Sequence, residues 1–383
     1  MKDILFIIPH YLHGGTNKSL QNLLHEVERL GLSPKVYSLK SGGFYESIFK
    51  DNIVHGRNLS SYVFRKLGIL SVLLRMIDIK LFKGSLKKIT LKIEASHLIQ
   101  YYKPDVVVAF EEGDPTIMGV YFRESKKIAW VQCDYYQHYK RLRYNAEINI
   151  EKKVYPQYDK IVCVSRSTQK TMRSYYPDLY EKITFSYNIL NVDLVKKRSL
   201  IELKETCFDT DCFVLISVGR FDLLKRFDKI PYIVNQIRAK GPIRDFKWYI
   251  IAEGEKEKEI TLEEIKKYKV EDYVVLLGGM NNPYPFILKS DLLVCLSESE
   301  SWSYVINEAK ILHVPVVTTD FGAAYEVVDK DTGIITSFEN VYSVLYDLIN
   351  DIDGCYAKLK KTADNYSYSN DMAISQLKDV ILA

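Results

Sequence analysis

Acidic and aromatic side chains are concentrated in one short stretch that follows an apolar run. The segment ESESWSYVINEAKIL, residues 298–312, comes shortly after the apolar residues 292–296. A carboxylate beside a buried strand is costly unless a partner or a ligand binds it. Because carboxylates accept hydrogen bonds strongly, Glu300 and Glu308 could bind the hydroxyl groups of a sugar or a ribose. The alternative is that the glutamates face water, which is our interpretation of Glu298.

A pair of cations follows another apolar run. The segment GRFDLLKRFDKI comes after Phe213–Val218 and puts Arg220 and Lys225 at the end of a predicted strand. Arginine can bind phosphate oxygens bidentately and lysine acts as a point charge, so the pair suits a diphosphate. If a helix starts near Ser303 and Tyr304, its free N–H groups would also favour a phosphate. A solvated basic turn is the alternative explanation for the two cations.

Two glycine pairs also follow predicted strands. Gly14 and Gly15 precede a helical segment, and Gly278 and Gly279 follow Val274–Leu277. Without a Cβ atom, the backbone can approach a phosphate, a sugar or a base closely. Plain turns explain each pair about equally well, so the glycines alone identify no ligand.

The elements that must position these residues alternate between short β-rich runs and segments of helical period. This pattern is typical of parallel βαβ units and predicts an α/β fold with ligands at the carboxyl ends of the strands. The predicted strands are Ile4–Ile8, Pro34–Ser38, Val106–Phe110, Lys127–Val131, Ile161–Val164, Phe213–Val218, Trp248–Ala252, Val274–Leu277, Leu292–Leu296 and Val314–Thr318. Two sets of about five strands imply two Rossmann-like domains facing a cleft, 1–190 and 191–365. A last helix at 366–383 is expected to pack back on the first domain.

Composition and charge set the class of protein. The 383 residues are 47% hydrophobic and 27% charged, which indicates a globular chain long enough for two domains. Residues 1–200 carry a net charge of +13 and residues 201–383 one of −9, so the first half should favour an anionic partner. No apolar run reaches the roughly eighteen residues that span a bilayer, and the six cysteines form no C-x-x-C pair. We expect a cytoplasmic protein with reduced thiols and no nucleic-acid partner, because no recognition module is apparent.

Taken together, these segments resemble glycosyltransferase family 4, whose members are retaining, sugar-nucleotide-dependent enzymes with the GT-B fold of two Rossmann-like domains. The most specific match is the E-x7-E motif formed by Glu300 and Glu308, with GRFDLLK, NPYPFILKSDLLV, NEAKILHVPVVTTD and YEVV around it. The resemblance is strongest over about residues 213–335 and continues more weakly over 1–190. The segment from Asn282 to Pro285 is most similar to the branch that builds capsules, lipopolysaccharide and other bacterial surface glycans.

The resemblance implies a role for each candidate residue in moving a sugar, most simply from a UDP-sugar, to a glycan acceptor that is expected to be lipid-linked. Arg220 and Lys225 would hold the diphosphate and act in catalysis together with Glu300. Gln132 stands where many members have a histidine near the sugar, and is the candidate on the acceptor side. No metal ion or cofactor is implied. The residues expected to bind the donor are Gly15, Gly278, Gly279, Met280, Trp302, Ser303, Tyr304 and Glu308.

Several positions depart from the family pattern. Ser301 and Ser303 replace glycines after the first glutamate, Arg226 replaces the glycine after Lys225, and His313 stands where a helix-ending glycine is common. These departures leave open a catalytically silent nucleotide-sugar-binding protein, or a sugar-nucleotide epimerase on the same fold. The D-x-D motif at 209–211 is typical of metal–nucleotide binding in another glycosyltransferase fold, but it precedes a strand instead of ending one.

One basic segment predicts a membrane contact. Residues 62–92 hold eight Lys/Arg and a single acid, Asp78, among many apolar residues. We expect peripheral binding to an anionic membrane, on its inner face, where a lipid-linked acceptor could be presented. The alternative is a helical pair packed on the core with a solvated basic face. The sequence also predicts closure of the cleft, since Gly15 and most donor-binding residues come from different domains.

Overall fold

The computed structural model describes residues 2–12, 14–56, 85–137, 145–203, 208–209 and 211–382. The chain forms two compact units. The first comprises Met1–Leu190 and Asn370–Ala383, and the second comprises Asn191–Ser369. Most of the basic segment 62–92 lies outside the described residues, so membrane binding through it stays a prediction. Within the described residues, no helix is both long enough and apolar enough to cross a bilayer.

A parallel sheet forms the centre of the first unit. Its six described strands are β1 Asp3–Ile8, β2 Ser33–Ser38, β3 Val106–Ala109, β4 Lys126–Val131, β5 Lys160–Cys163 and β6 Ile183–Phe185, in the order β2-β1-β3-β4-β5-β6. The described helices of this unit are Gly15–Arg29, Phe44–Ile48, Ser85–Tyr101, Asp114–Gly119, Asn145–Val154, Arg166–Tyr175 and Asp371–Ile381. The side chains of Ile4 to Ile8 are fully buried, as expected for a central parallel strand that is covered on both faces.

The last helix, Asp371–Ile381, belongs to the first unit. It is shorter than the predicted 366–383, because residues 366–370 are not helical. The Nζ atom of Lys160 donates to the carbonyl oxygen of Asp379 (2.7 Å). The side chain of Asn370 does not cap this helix. Instead its Oδ1 accepts from the Leu190 N–H (3.1 Å) and its Nδ2 donates to the Leu190 carbonyl (2.8 Å).

A second parallel sheet forms the centre of the other unit. Its six described strands are β7 Phe213–Arg220, β8 Phe246–Glu253, β9 Val274–Leu276, β10 Leu292–Cys295, β11 Val316–Thr319 and β12 Gly333–Thr336, in the order β12-β11-β10-β7-β8-β9. The described α-helices of this unit are Val192–Ser199, Ile230–Lys240, Lys256–Tyr268, Tyr284–Leu288, Tyr304–Ile311, Ala324–Val327, Val341–Ile349 and Cys355–Asp364. Two polar side chains are paired in its core: Trp248 Nε1 donates to Ser217 Oγ (2.9 Å), which donates to the Val294 carbonyl (2.7 Å).

The sequence predicts about five strands in each sheet, and each described sheet has six. The two additional strands, β6 and β12, lie at the sheet edges. Both are short, and most of their residues are only partly buried. They therefore lack the continuous apolar run by which the central strands are recognised in the sequence.

The strand order fixes where a ligand can bind in the second unit. From β7 the chain passes outward to β8 and β9, and then returns to the other side of β7 as β10. The carboxyl ends of β7 and β10 therefore border the point at which the strand order reverses. Open α/β sheets bind their ligands at this point, since the loops that leave the two strands diverge there.

Candidate functional site

The loop after β7 presents two cations at this reversal point. Arg220 is the last residue of β7 and is exposed. Lys225 ends the short 3-10 turn Leu223–Lys225, whose first N–H groups are capped by Asp222: its Oδ1 accepts from the Leu224 N–H (2.9 Å). The Asp222 cap therefore fixes the start of the turn that ends at Lys225.

Lys225 forms an ion pair with Glu300, which comes from the loop after β10. A Cβ atom at Gly219 would lie 3.7 Å from both Cδ and Cε of Lys225, so the stem of the lysine packs against this glycine. Burial by itself would lower the pKa of Lys225, but the adjacent Glu300 carboxylate raises it above its ordinary value. Lys225 is therefore a cation at neutral pH.

Glu300 is held in turn by a buried hydrogen-bond chain. Ser297, which is 1% exposed, donates from Oγ to Glu300 Oε1 (2.9 Å), and Cys295 Sγ donates to Ser297 Oγ (3.4 Å). The Ser297 carbonyl accepts from Thr319 Oγ1 (2.7 Å). The backbone and the hydroxyl of Ser297 are therefore both fixed. Sequence reasoning missed Ser297, although it stands three residues before a candidate carboxylate at the end of a strand.

Arg226 links the two loops that carry Lys225 and Glu300. Its backbone is left-handed (φ 54°), which a glycine would adopt at lower cost. Its Nη2 pairs with Glu298 Oε2 (3.1 Å), and its guanidinium lies over the Phe338 ring, 5.0 Å from the centroid. Glu298, interpreted from sequence as a solvated residue, is thus about half exposed and ion-paired.

The helix Tyr304–Ile311 begins four residues after Glu300. Ser303 is its N-cap residue, but the Ser303 side chain makes no capping hydrogen bond. Its hydroxyl is buried and has no hydrogen-bond partner among the described residues. Trp302 is almost buried and Tyr304 partly so. The Ser303 hydroxyl and the positive end of the helix would together favour an anionic group.

Glu308 lies on the same helix, slightly more than one turn inside it. It is 3% exposed, and its Oε1 accepts from the Tyr284 hydroxyl (3.2 Å). Tyr284 opens the helix Tyr284–Leu288, and the Arg198 guanidinium lies 5.6 Å from its ring centroid. In the sequence, Tyr284 is only one residue of the segment from Asn282 to Pro285, and its type alone indicates no role.

Each of the two glycines after β9 needs the absence of a side chain, Gly278 for its backbone conformation and Gly279 for space. Gly278 has φ 77°, and its carbonyl accepts from the Ala252 N–H (3.1 Å). A Cβ atom at Gly279 would lie 2.6 Å from Glu253 Cβ, so this position excludes a side chain. Met280 follows and is partly buried. The loop therefore lies directly against the carboxyl end of β8.

Two of the predicted site residues lie in the first unit. Gly15 is the first residue of the helix Gly15–Arg29, and Gln132 follows β4. The N–H groups of Gln132 and Cys133 both donate to Glu112 Oε1, over 2.6 Å and 3.0 Å. Glu112, from the loop after β3, was missed by sequence reasoning, although the pair EE after an apolar strand could have indicated it. The roles of Gly15 and Gln132 stay predictions.

Asp209 and Asp211 of the D-x-D motif lie before the amino end of β7, whereas Lys225 follows its carboxyl end. Asp209 precedes β7, and its Oδ2 pairs with Lys247 Nζ (2.8 Å) at the amino end of β8. The hydrogen bond from Lys247 lowers the pKa of the Asp209 carboxyl. Among the described residues, no group of three or more His, Cys, Asp or Glu side chains is arranged to hold a metal ion.

Two family models match the chain, one in each half. The model described as Glycosyltransferase Family 4 matches residues 13–194, and the model described as Glycosyl transferases group 1 matches residues 212–351. The chain belongs to glycosyltransferase family 4. The second match includes the cation pair after β7 and both glutamates of the E-x7-E motif.

Relatives of this family 4 chain are found in archaea and bacteria. An uncharacterized glycosyltransferase of Methanocaldococcus jannaschii is 26% identical over 235 residues, which cover 58% of this chain and 57% of the relative. The N-acetylgalactosamine-N,N'-diacetylbacillosaminyl-diphospho-undecaprenol 4-alpha-N-acetylgalactosaminyltransferase of Campylobacter jejuni is 28% identical over 230 residues, 59% of each chain. The chain thus spans less than two thirds of the length of these relatives.

Solved structures agree with the family in fold. Anabaena HepE in complex with UDP has a TM-score of 0.68 at 16% identity, and the match covers 100% of this chain and 98% of HepE. The lipopolysaccharide outer core galactosyltransferase WaaB has a TM-score of 0.66 at 13% identity, with 98% of both chains covered. The family 4 chain therefore has the predicted GT-B fold, with one six-stranded parallel sheet in each unit.

Proposed function

We propose that this chain is a retaining glycosyltransferase that moves a sugar from a UDP-sugar to a hydroxyl group of a glycan acceptor. The observation that carries the proposal is the arrangement at the carboxyl ends of β7 and β10. There Lys225 and Glu300 meet beside the start of the helix Tyr304–Ile311. A cation, a fixed carboxylate and the amino end of a helix are partners that suit a sugar diphosphate.

The proposed reaction uses these groups to stabilise the leaving diphosphate. The bond between the anomeric carbon and the phosphate oxygen breaks, and the acceptor oxygen bonds to the same face of that carbon. The acceptor proton passes to the departing phosphate oxygen, so no enzyme nucleophile is needed. Arg220, Lys225 and the N–H groups near Ser303 act where negative charge develops. Glu300 orients sugar hydroxyls, and the reaction requires no metal ion.

The remaining predicted residues bind the rest of the donor. Glu308 would accept hydrogen bonds from the ribose hydroxyls, since its carboxylate has capacity for more than one donor. Trp302 and Tyr304 would border the sugar and the distal phosphate. The loop from Gly278 to Met280 would contact the base through its backbone. Gly15 would contact the donor phosphates through its backbone. UDP is favoured because HepE was solved with UDP and with UDP-glucose.

The acceptor is proposed to be a lipid-linked glycan of a bacterial surface polysaccharide. The C. jejuni relative has diphospho-undecaprenol in its name, and another relative, 25% identical over 126 residues, is an amylovoran biosynthesis glycosyltransferase of Erwinia amylovora. The helix Ser85–Tyr101 exposes Ile89 and Ile93 beside Lys92 at the described end of the basic segment. An apolar and basic surface of this kind suits peripheral binding to an anionic membrane.

The test is transfer itself. The purified chain is incubated with UDP-, GDP- and ADP-sugars, with and without lipid-linked acceptors, and released nucleotide and product are both measured. We expect UDP release that rises with acceptor, and a product whose anomeric configuration by NMR matches that of the donor. Nucleotide binding without release would favour the silent binding protein, and a changed sugar nucleotide without acceptor would favour the epimerase.

A further inference from the structure

We propose that Tyr284 is a positioning residue that fixes the Glu308 carboxylate for the ribose of the donor. The inference rests on the proposed function, in which Glu308 binds the ribose hydroxyls. It adds a residue of the helix Tyr284–Leu288 to the proposed nucleotide site on the helix Tyr304–Ile311. The NPYP segment, residues 282–285, would then help to bind the donor as well as connect β9 to β10.

The contact joins two buried side chains of the second unit. Tyr284 and Glu308 are each 3% exposed, and the Tyr284 hydroxyl donates to Glu308 Oε1 (3.2 Å). A buried carboxylate needs hydrogen-bond donors, since burial without them is costly. An ionised carboxylate has about four acceptor sites. The hydrogen bond from Tyr284 uses one of these sites and restricts the plane of the carboxylate.

The tyrosine is itself held on its other side. The Arg198 guanidinium lies near the Tyr284 ring, and its Nη2 donates to the Asn281 carbonyl (2.5 Å). Asn282 Nδ2 donates back to the Arg198 carbonyl (3.0 Å). Because these contacts fix the segment before the helix Tyr284–Leu288, the ring is fixed before any ligand binds. Preorganisation of this kind lowers the cost of ordering a site on binding.

The variant Tyr284→Phe tests this role, because it removes the hydroxyl and keeps the ring. We expect its affinity for UDP, measured by calorimetry, to fall roughly 5- to 10-fold. This is less than the loss of a direct hydrogen bond to a charged group, because Tyr284 orients the carboxylate and does not itself bind UDP. For 2′,3′-dideoxy-UDP, which lacks both ribose hydroxyls, we expect the two proteins to differ by less than about twofold. In turnover, the donor KM should rise while kcat is unchanged, since the ribose does not react.

Tyr356→Phe is the matched control. The Tyr356 hydroxyl donates to Asp291 Oδ1 (3.1 Å) at the amino end of β10, in the same unit and away from the strand ends that carry Glu300. We expect this variant to bind UDP like the wild type. If Tyr284→Phe binds UDP as tightly as the wild type, or loses equal affinity for UDP and the dideoxy analogue while melting at the wild-type temperature, the positioning role is wrong. If the wild type does not bind UDP, the proposed function itself fails.

Discussion

At the scale of single residues, the best-defined part of the site is a pair of contacts: Ser297 donates to Glu300, and Glu300 forms an ion pair with Lys225. Ser297→Ala removes the hydroxyl that donates to Glu300 Oε1. We expect kcat to fall about tenfold, because the carboxylate loses a fixed orientation. In a Glu300→Ala background the same substitution should change kcat little, since there is no carboxylate left to orient.

Ser217→Ala is the control for this cycle. Ser217 is equally buried and lies in β7 of the same sheet, but it bonds Trp248 and the Val294 carbonyl. Ser217→Ala should lower the free energy of unfolding by about 1–3 kcal/mol, because the buried Trp248 N–H loses its acceptor. Its effect on kcat should be the same in the wild type and in the Glu300→Ala background. Additive effects of Ser297→Ala would argue that Ser297 only supports the fold.

The ion pair of Lys225 also predicts a pH dependence of stability. The Glu300 carboxylate raises the pKa of Lys225 in the folded chain above its ordinary value of 10.5. The stabilisation by the paired cation is therefore fully present below about pH 10.5 and is lost as the pH rises through the higher folded value. Urea unfolding of the wild type and of Lys225→Met should show a constant difference from about pH 7 to 9. A difference that already shrinks in that range would contradict the raised pKa.

At the scale of elements, the end of the helix Tyr304–Ile311 shows how a departure from the family pattern is accommodated. His313 has φ 58°, and the Val314 N–H bonds the Ala309 carbonyl while the His313 N–H bonds the Lys310 carbonyl. This is a Schellman ending, which usually places glycine at this position. The His313 ring nitrogen Nδ1 bonds the Ala363 carbonyl (3.1 Å), a contact that glycine would lose.

Two substitutions separate these effects. His313→Gly should stabilise the fold by about 1 kcal/mol, because glycine adopts the left-handed conformation at lower cost. The same substitution removes the hydrogen bond of the His313 ring, which contributes about as much. We therefore expect the free energy of unfolding to change little. In His313→Ala only the loss remains, so the chain should be less stable by about 1 kcal/mol. The measurement is urea unfolding of both variants, and equal stability of the two would show that the backbone carries no strain.

The elements were predictable from the sequence to different degrees. The central strands are runs such as FVLISVG, because parallel strands covered on both faces must be apolar throughout. The edge strands β6 and β12 lack that pattern and were missed. Arg220, Lys225 and Glu300 could be chosen as candidates because a charged side chain after an apolar run is conspicuous, and Glu308 because it completes the E-x7-E motif. Tyr284 and Glu112 could not be given roles, because their partners lie on separate elements that only the folded chain brings together. Ser297 stands near Glu300 in the sequence, but nothing there distinguishes it from the other serines of the segment.

At the scale of the whole molecule, the charge asymmetry predicts binding to an anionic membrane surface. The first 200 residues carry +13, including the segment 62–92, while the rest of the chain carries −9. We expect the full chain to co-sediment with vesicles that contain anionic lipid at low salt, and to be released as salt screens the attraction. Reversal of four lysines in the segment (Lys80, Lys83, Lys87 and Lys88 to Glu) should abolish binding. Equal recovery with neutral and anionic vesicles would contradict a membrane role.

The measurement that tests the central claim most directly compares sugar transfer by the wild type and by Lys225→Ala, each with and without EDTA. Lys225 is proposed to stabilise the leaving diphosphate, so its removal should lower kcat by about 10²–10³-fold, with UDP binding weakened far less. EDTA should leave the wild-type rate unchanged. Full activity in Lys225→Ala would contradict the account, as would a wild-type rate that EDTA abolishes and Mn²⁺ restores, which would return attention to Asp209 and Asp211.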